Sequence, residues 1–323
     1  MVSLACHLDE CDTFIQKALQ WATRFDHVCY LDSNGYRDNH GRLNVFLAVG
    51  AHDTFVADGD DTFPKLQAFV DRYPGHWIPG YLGYDLKNEI EALQSQHPNR
   101  SEFPDAYFFI PRYTLLIGRY NAEIKGDDPA TILQEIEATE VIDEPLDFSG
   151  QLKYRMNRRA YYDAFAALQQ HIRKGDIYEV NLCQEFYAEE AKLNPLSTYR
   201  KLKEVSPTPF SCFFKFGRRY ILSASPERFL AKDGDRLLSQ PIKGTAPRGS
   251  NAQEDEQLKN TLATNPKEIS ENIMIVDLVR NDLTRSAQPG TVKADALLEV
   301  HSFRQVHQLV STITCQIRPE LSA

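Results

Sequence analysis

The chain has 323 residues, 42% hydrophobic and 25% charged, which excludes intrinsic disorder and leaves room for two domains or one large α+β domain. Its net charge of −9 disfavours nucleic acid and anionic membrane as partners, because phosphate binding needs basic clusters; a small anionic substrate, which needs only a local cluster or a metal, stays open. No stretch reaches the roughly 18 apolar residues of a membrane span, and Met1-Val2-Ser3-Leu4-Ala5-Cys6-His7 lacks a signal-peptide pattern, so the expected compartment is the cytoplasm.

Phe14, Ala18, Trp21, Ala22 and Phe25 recur at helical spacing and predict a helix over 12–25. Strands are expected at 27–33 and 43–50, joined by the polar turn Ser33-Asn34-Gly35 and its continuation. A short helix at 63–73 leads to Gly80-Tyr81-Leu82-Gly83-Tyr84-Asp85, whose paired glycines predict tight backbone packing. Two aromatic strands between Ala106 and Tyr120 and a helix at 129–139 complete the first part. The acidic stretch Asp143-Glu144-Pro145-Leu146-Asp147 is the best linker and divides the chain into 1–148 and 149–323.

Beyond it, Asn157 caps a helix with the apolar face Tyr161, Phe165, Leu168 and Ile172, ending at Lys174-Gly175. A strand over 177–182, a helix at 196–205 and strands near 210–217, 220–224 and 236–242 follow. Strand and helix runs alternate irregularly, which favours α+β over a doubly wound sheet. The six cysteines, Cys6, Cys11, Cys29, Cys183, Cys212 and Cys315, are scattered without a CxxC pair and read as reduced thiols.

The chemically loaded region is 225–282. Glu268 and Glu271, three apart on a predicted helix, project to one side, where an oxygen-only pair suits magnesium; the alternative is a solvated acidic face. Lys243 follows the apolar residues Leu237, Leu238 and Ile242, so burial would favour its free amine, a nucleophile; the alternative is a lysine that reaches solvent or pairs with a carboxylate. Glu227 follows the bend at Pro226. If 220–224 and 236–242 are antiparallel neighbours, Glu227 and Lys243 line one cleft, and the carboxyl is placed to protonate a leaving hydroxyl; the alternative is a surface acid paired with Arg228. Asp277 and Arg280 read as a structural ion pair, and His307 as a satisfied core or surface histidine.

Together these segments resemble the chorismate-utilising enzymes, most closely the aminodeoxychorismate synthase component I branch. The matching stretches are Gly83-Tyr84-Asp85, Gly175-Asp176-Ile177-Tyr178-Glu179-Val180-Asn181-Leu182, Ser225-Pro226-Glu227-Arg228-Phe229 and Pro241-Ile242-Lys243-Gly244-Thr245. Glu271-Asn272 through Asp282 and Val306-His307-Gln308-Leu309-Val310-Ser311-Thr312 complete the set, in the family's order. The resemblance implies the anthranilate-synthase-like α+β fold, with orthogonally packed sheets and outer helices. Residues 1–148 would be its N-terminal domain and 149–323 the first part of its chorismate-binding domain.

It further implies that Lys243 is the nucleophile, where anthranilate synthases carry alanine, adding to C2 of chorismate as the C4 hydroxyl departs. Glu227 would be the acid, Gly244 and Thr245 would lie beside the substrate, and Glu268 and Glu271 would hold Mg2+. Ammonia, supplied by a separate glutamine amidotransferase subunit, would add at C4 to give 4-amino-4-deoxychorismate for 4-aminobenzoate and folate. The rivals are anthranilate synthase component I and a non-catalytic fragment that docks the amidotransferase. Many relatives carry histidine where Gln308 stands, and the family continues past the position of Ala323 with further metal carboxylates and substrate-gripping residues, so a truncated chain is expected. In relatives a segment like Leu31-Asp32-Ser33 helps to form a tryptophan pocket.

Overall fold

β1 (Val2–His7) precedes α1 (Cys11–Ala22), whose Phe14, Ala18, Leu19, Trp21 and Ala22 are buried as the helical spacing requires. β2 (His27–Asp32) and β3 (Val45–Val56) follow, joined through Ser33-Asn34-Gly35. The computed structural model describes residues 2–36, 40, 41, 43–57, 59–94 and 97–321, so the continuation of that turn at 37–39 lies outside the described residues. Next come α2 (Thr62–Asp71), β4 (Gly80–Leu82) and the short α3 (Lys87–Ile90). A Cβ on Gly80 would stand 2.3 Å from the Tyr107 carbonyl oxygen, which is the tight packing that its glycine predicts.

β5 (Ala106–Ile117) is one strand where two were expected. Pro111, in its middle, sits opposite Ala51 beside a register shift in β3, and such an irregularity tolerates a residue without an N–H. β6 (Asn121–Gly126) and α4 (Pro129–Glu137) follow.

The chain resolves into two compact units, Met1–Ile142 with Tyr199–Ala323, and Asp143–Thr198. The second unit contains β7 (Lys153–Tyr154), α5 (Arg158–Lys174) and β8 (Phe186–Tyr187). Asn157 Oδ1 accepts the Ala160 N–H at 2.9 Å, and Gly175 closes the helix at φ +78°, as the sequence predicts. The apolar row of α5, with Val180, Asn181 and Leu182, lines a hollow of about 310 Å³. No strand forms over 177–182, because that segment has no neighbouring strand to complete its backbone hydrogen bonds.

α6 (Pro195–Val205) is followed by β9 (Phe210–Phe216), β10 (Arg219–Ser225), β11 (Arg228–Asp233), β12 (Arg236–Gln240) and β13 (Ile242–Pro247). Then come α7 (Ala252–Thr264), α8 (Pro266–Thr284), β14 (Lys293–Ser302) and β15 (Val306–Gln316). β11 was not foreseen: Phe229-Leu230-Ala231 has no alternation, and what makes the hairpin is the Gly234-Asp235 turn, with Gly234 at φ +61°.

The strand pairings of the described residues are antiparallel, and the architecture is the expected α+β type. One sheet runs β1-β6-β5-β3-β2-β9-β10, with β4 on β5; the other runs β11-β12-β15-β13, with β14 on β15. The first sheet therefore joins strands from both sides of the expected 148/149 boundary, since β2 pairs with β9 from His27 opposite Phe216 to Asp32 opposite Ser211. Its core includes Cys29, Phe46, Tyr107, Phe109, Phe214 and Phe216, with the Tyr107 and Phe216 rings stacked at 4.4 Å. α8 lays Val276 and Leu283 on Leu237, Ile313 and Cys315 of the second sheet, and each such fully buried side chain contributes about 1.5–3 kcal/mol. Among the described residues no helix is long and apolar enough to cross a membrane.

Candidate functional site

Three segments converge on residues 242–244 of β13. From the bend before β11, Glu227 Oε1 accepts the Ile242 N–H at 3.2 Å. From the first turn of α8, Glu268 covers Gly244: a Cβ built there would stand 3.2 Å from Glu268 Cβ and 3.3 Å from Glu268 Oε2, with Leu309 Cδ1 at 3.0 Å. Gly244 also has φ +92°, so both the backbone conformation and the close approach require glycine. From one turn further along α8, the buried Asn272 donates from Nδ2 to the carbonyls of Lys243 and Leu309, each at 3.1 Å. Asn272 Oδ1 in turn accepts from Ser311 Oγ at 2.6 Å, so a carboxamide bonded through both its nitrogen and its oxygen ties α8 to β13 and β15.

Lys243 is thus flanked by two carboxylates, one at each neighbouring residue, and is itself half-buried. It is the second residue of β13 rather than the end of a strand over 236–242, because β12 stops at Gln240 and Pro241 interrupts the run. Nor are 220–224 and 236–242 neighbours: β10 lies on β9 in the first sheet, and β12 lies between β11 and β15 in the second. Glu227 still reaches this strand, from the link between the two sheets.

Asn265 caps α8, its Oδ1 accepting the N–H groups of Lys267 at 3.0 Å and Glu268 at 3.3 Å. That cap sets Glu268 and Glu271 on one side of the helix, and the Lys267 ammonium lies 3.1 Å from Glu268 Oε1 and 3.2 Å from Glu271 Oε1. The hydrogen bonds to Glu268 and then Glu271 push the lysine's pKa up. The two carboxylates converge on a single positive charge. Such a donor set fits magnesium, which takes one or two carboxylates and completes its shell with water and an anionic substrate. Among the described residues there is no cluster of three or more His, Cys, Asp or Glu placed to hold a metal.

Thr245 is exposed and lies opposite Gln308 on β15. His307, only 1% exposed, bonds Ser302 Oγ at 2.8 Å through Nδ1 and Asp255 Oδ1 at 3.0 Å through Nε2. It is the satisfied core histidine of the sequence reading. Arg248 bonds both Asp255 oxygens, at 2.7 and 2.6 Å, and with the Gly249 N–H holds that carboxyl well below the ordinary range. Asp277 and Arg280 pair at 2.9 Å, as their spacing predicts. The residue whose part was missed is Asn272; a lone asparagine among the buried positions of an apolar helix face was the available signal.

The chorismate binding enzyme family matches residues 26–323. Component 1 of aminodeoxychorismate synthase from Escherichia coli K12 is 34% identical over 333 residues, covering 93% of this chain and 73% of that protein. The Klebsiella aerogenes component 1 is 35% identical, covering 76% of this chain and 55% of that protein, and the aminodeoxychorismate synthase of Streptomyces griseus is 37% identical, covering 76% and 36%. The chain therefore spans about a third to three quarters of the length of these relatives. Anthranilate synthase component I from Streptococcus pneumoniae superposes with a TM-score of 0.73 at 24% identity, covering 89% of this chain and 72% of that one. With the family match extending over nearly all of the sequence and the fold shared with these enzymes, the chain belongs to the chorismate-binding enzymes.

Proposed function

We propose that the chain acts as component I of aminodeoxychorismate synthase, converting chorismate and ammonia to 4-amino-4-deoxychorismate and water. The observation that carries this reading is the setting of Lys243 on β13, where the Glu227 carboxylate accepts the backbone N–H of the preceding Ile242 and the Glu268 side chain covers the following Gly244. The Lys243 amine forms a bond to C2 of chorismate while the C4–oxygen bond breaks, and Glu227 gives the departing hydroxyl its proton. Ammonia then bonds to C4, and the lysine amine leaves C2 with its electron pair. Gly244 and Thr245 lie beside the substrate, and Glu268 and Glu271 would hold magnesium, which would supply positive charge for the substrate carboxylate. A glutamine amidotransferase subunit provides the ammonia, and the cytoplasm is the compartment.

The test is product analysis after incubation with chorismate, magnesium and ammonium. The expected product yields 4-aminobenzoate only when an aminodeoxychorismate lyase is added. Anthranilate formed without a lyase would overturn the assignment in favour of anthranilate synthase. A chain that binds an amidotransferase but consumes no chorismate would be a docking fragment instead.

A further inference from the structure

We propose that Ser302, His307 and Asp255 form a nucleophilic relay, in which the Ser302 hydroxyl takes an acyl group from activated carboxylic esters such as aryl esters. The relay sits where β14 turns into β15 and is a second chemistry, independent of the one assigned to Lys243.

The order of the bonds carries the inference. Ser302 and His307 stand directly opposite one another on β14 and β15, and Ser302 Oγ lies 2.8 Å from His307 Nδ1. His307 Nε2 lies 3.0 Å from Asp255 Oδ1 on α7. The Arg248 guanidinium bonds both Asp255 oxygens and the Gly249 N–H donates to one of them at 2.8 Å, which keeps that carboxyl ionised. An ionised carboxylate only accepts, so Nε2 carries the imidazole proton. The neutral ring then offers only a lone pair at Nδ1, and the Ser302 hydroxyl donates to it. A nucleophile is thus bonded to a base whose tautomer a fixed carboxylate sets. The two ring nitrogens are exchanged relative to the serine-protease arrangement, but the path of the proton is the same.

Burial divides the roles. His307 is 1% exposed whereas Ser302 is exposed, so an incoming ester meets the hydroxyl and the base stays behind it. The turn beside the serine is pinned: Arg248 donates to the Phe303 carbonyl, and Arg304 and Gln305 donate to the carbonyls of Glu204 and Val205 at the end of α6. In the reaction the Ser302 oxygen bonds to the ester carbonyl carbon as its proton passes to His307 Nδ1. The bond from that carbon to the aryl oxygen breaks, and the aryloxide leaves with the electron pair. Solvent then carries the proton from the ring to the aryloxide, so that ester and serine become acyl-serine and phenol. A buried imidazole gives the leaving group no proton as it departs, which restricts the substrates to esters whose leaving groups are stable anions.

The probe is p-nitrophenyl acetate near neutral pH, with each adduct located by peptide mass spectrometry on the full chain. The exposed Ser101 and Ser270 are internal controls, because their hydroxyls donate to an amide oxygen at 2.9 Å and a backbone carbonyl at 2.7 Å rather than to a base. Ser302 is expected to be acetylated at least about 100-fold faster than either, the lower end of what a positioned base contributes. Ser302→Ala should lose this adduct and melt as the parent does. Asp255→Asn, read below its own melting temperature, should acetylate Ser302 about 100-fold more slowly, because a carboxamide that donates to Nε2 leaves the ring proton on Nδ1. Ser302 acetylated no faster than Ser101 and Ser270 overturns the proposal and leaves the three side chains as a brace of the hairpin. That comparison is made within the parent chain, so it decides the matter even where Asp255→Asn does not fold. A folded Asp255→Asn chain acetylated at Ser302 at the parent's rate overturns the relay as well.

Discussion

The Asn272 carboxamide donates to the Lys243 carbonyl oxygen at 3.1 Å, so the strand carrying the amine is held by a side chain from the helix that carries the two glutamates. One residue of α8 thereby ties the backbone at Lys243 to the helix of Glu268 and Glu271. Replacing it tests both stability and activity. Asn272→Ala removes a donor from the carbonyls of Lys243 and Leu309 and the acceptor of the Ser311 hydroxyl, and is expected to cost about 2–4 kcal/mol in urea unfolding. An unchanged midpoint and slope would show that water replaces the carboxamide without loss.

Lys243→Ala removes the amine and is expected to lower amination of chorismate by more than about 100-fold, with the melting temperature nearly kept. Arginine at this position should not rescue, because a guanidinium stays protonated and is no nucleophile. Rates unchanged in the alanine variant would remove the covalent step.

Glu227→Gln retains an oxygen to accept the Ile242 N–H but has no proton to give. The expected result is a fall of about 10²–10⁴-fold in kcat with KM for chorismate little changed. An equal loss in KM with kcat preserved would make Glu227 a binding group instead.

Lys267 neutralises Glu268 and Glu271, and an incoming divalent cation competes with it. Lys267→Met should therefore tighten magnesium binding, and Glu271→Ala should weaken it, both measured by calorimetric titration of the metal alone. The raised pKa of Lys267 gives the sign of the pH effect: its pairing stabilises the fold fully below the unfolded-state value and is lost as pH rises through the folded-state value. Metal affinity should rise over that alkaline window in the parent and not in Lys267→Met. Identical titrations in parent and variants would exclude these glutamates as ligands.

The depressed pKa of Asp255 makes an acid-side prediction. Its carboxylate, held by Arg248, the Gly249 N–H and His307, contributes stability that is present above the unfolded pKa, near 4, and disappears as pH falls through the lower folded value. Asp255→Asn should melt lower at pH 7, and its melting temperature should lie closer to the parent's as pH is taken below about 4. A constant gap across that range would mean that the ion pair with Arg248 is not the stabilising element.

Local geometry was legible in residue types and spacing. That Glu268 and Glu271 share one side of a helix follows from helical periodicity, a local property, and so do the Asn157 cap and the Gly175 stop. Pairing was not legible. The neighbours expected for 220–224 and 236–242 were each other, whereas β10 and β12 belong to different sheets, and nothing within either segment encodes which distant strand supplies its hydrogen bonds. The same limit hid β11 and produced a strand at 177–182, where an apolar run found no partner. Asn272 escaped notice because its role depends on two carbonyls from other strands meeting above one helical turn.

The partnership of β2 with β9 has a bearing on how the molecule tolerates being cut. Severed between Gly126 and Phe210, the chain would yield one piece ending its sheet at β2 and another beginning with β9, each with a row of unused backbone donors and acceptors. Such pieces are poor independent folders and natural templates for each other. Co-expressed halves should reassemble by complementation, whereas either half alone should precipitate.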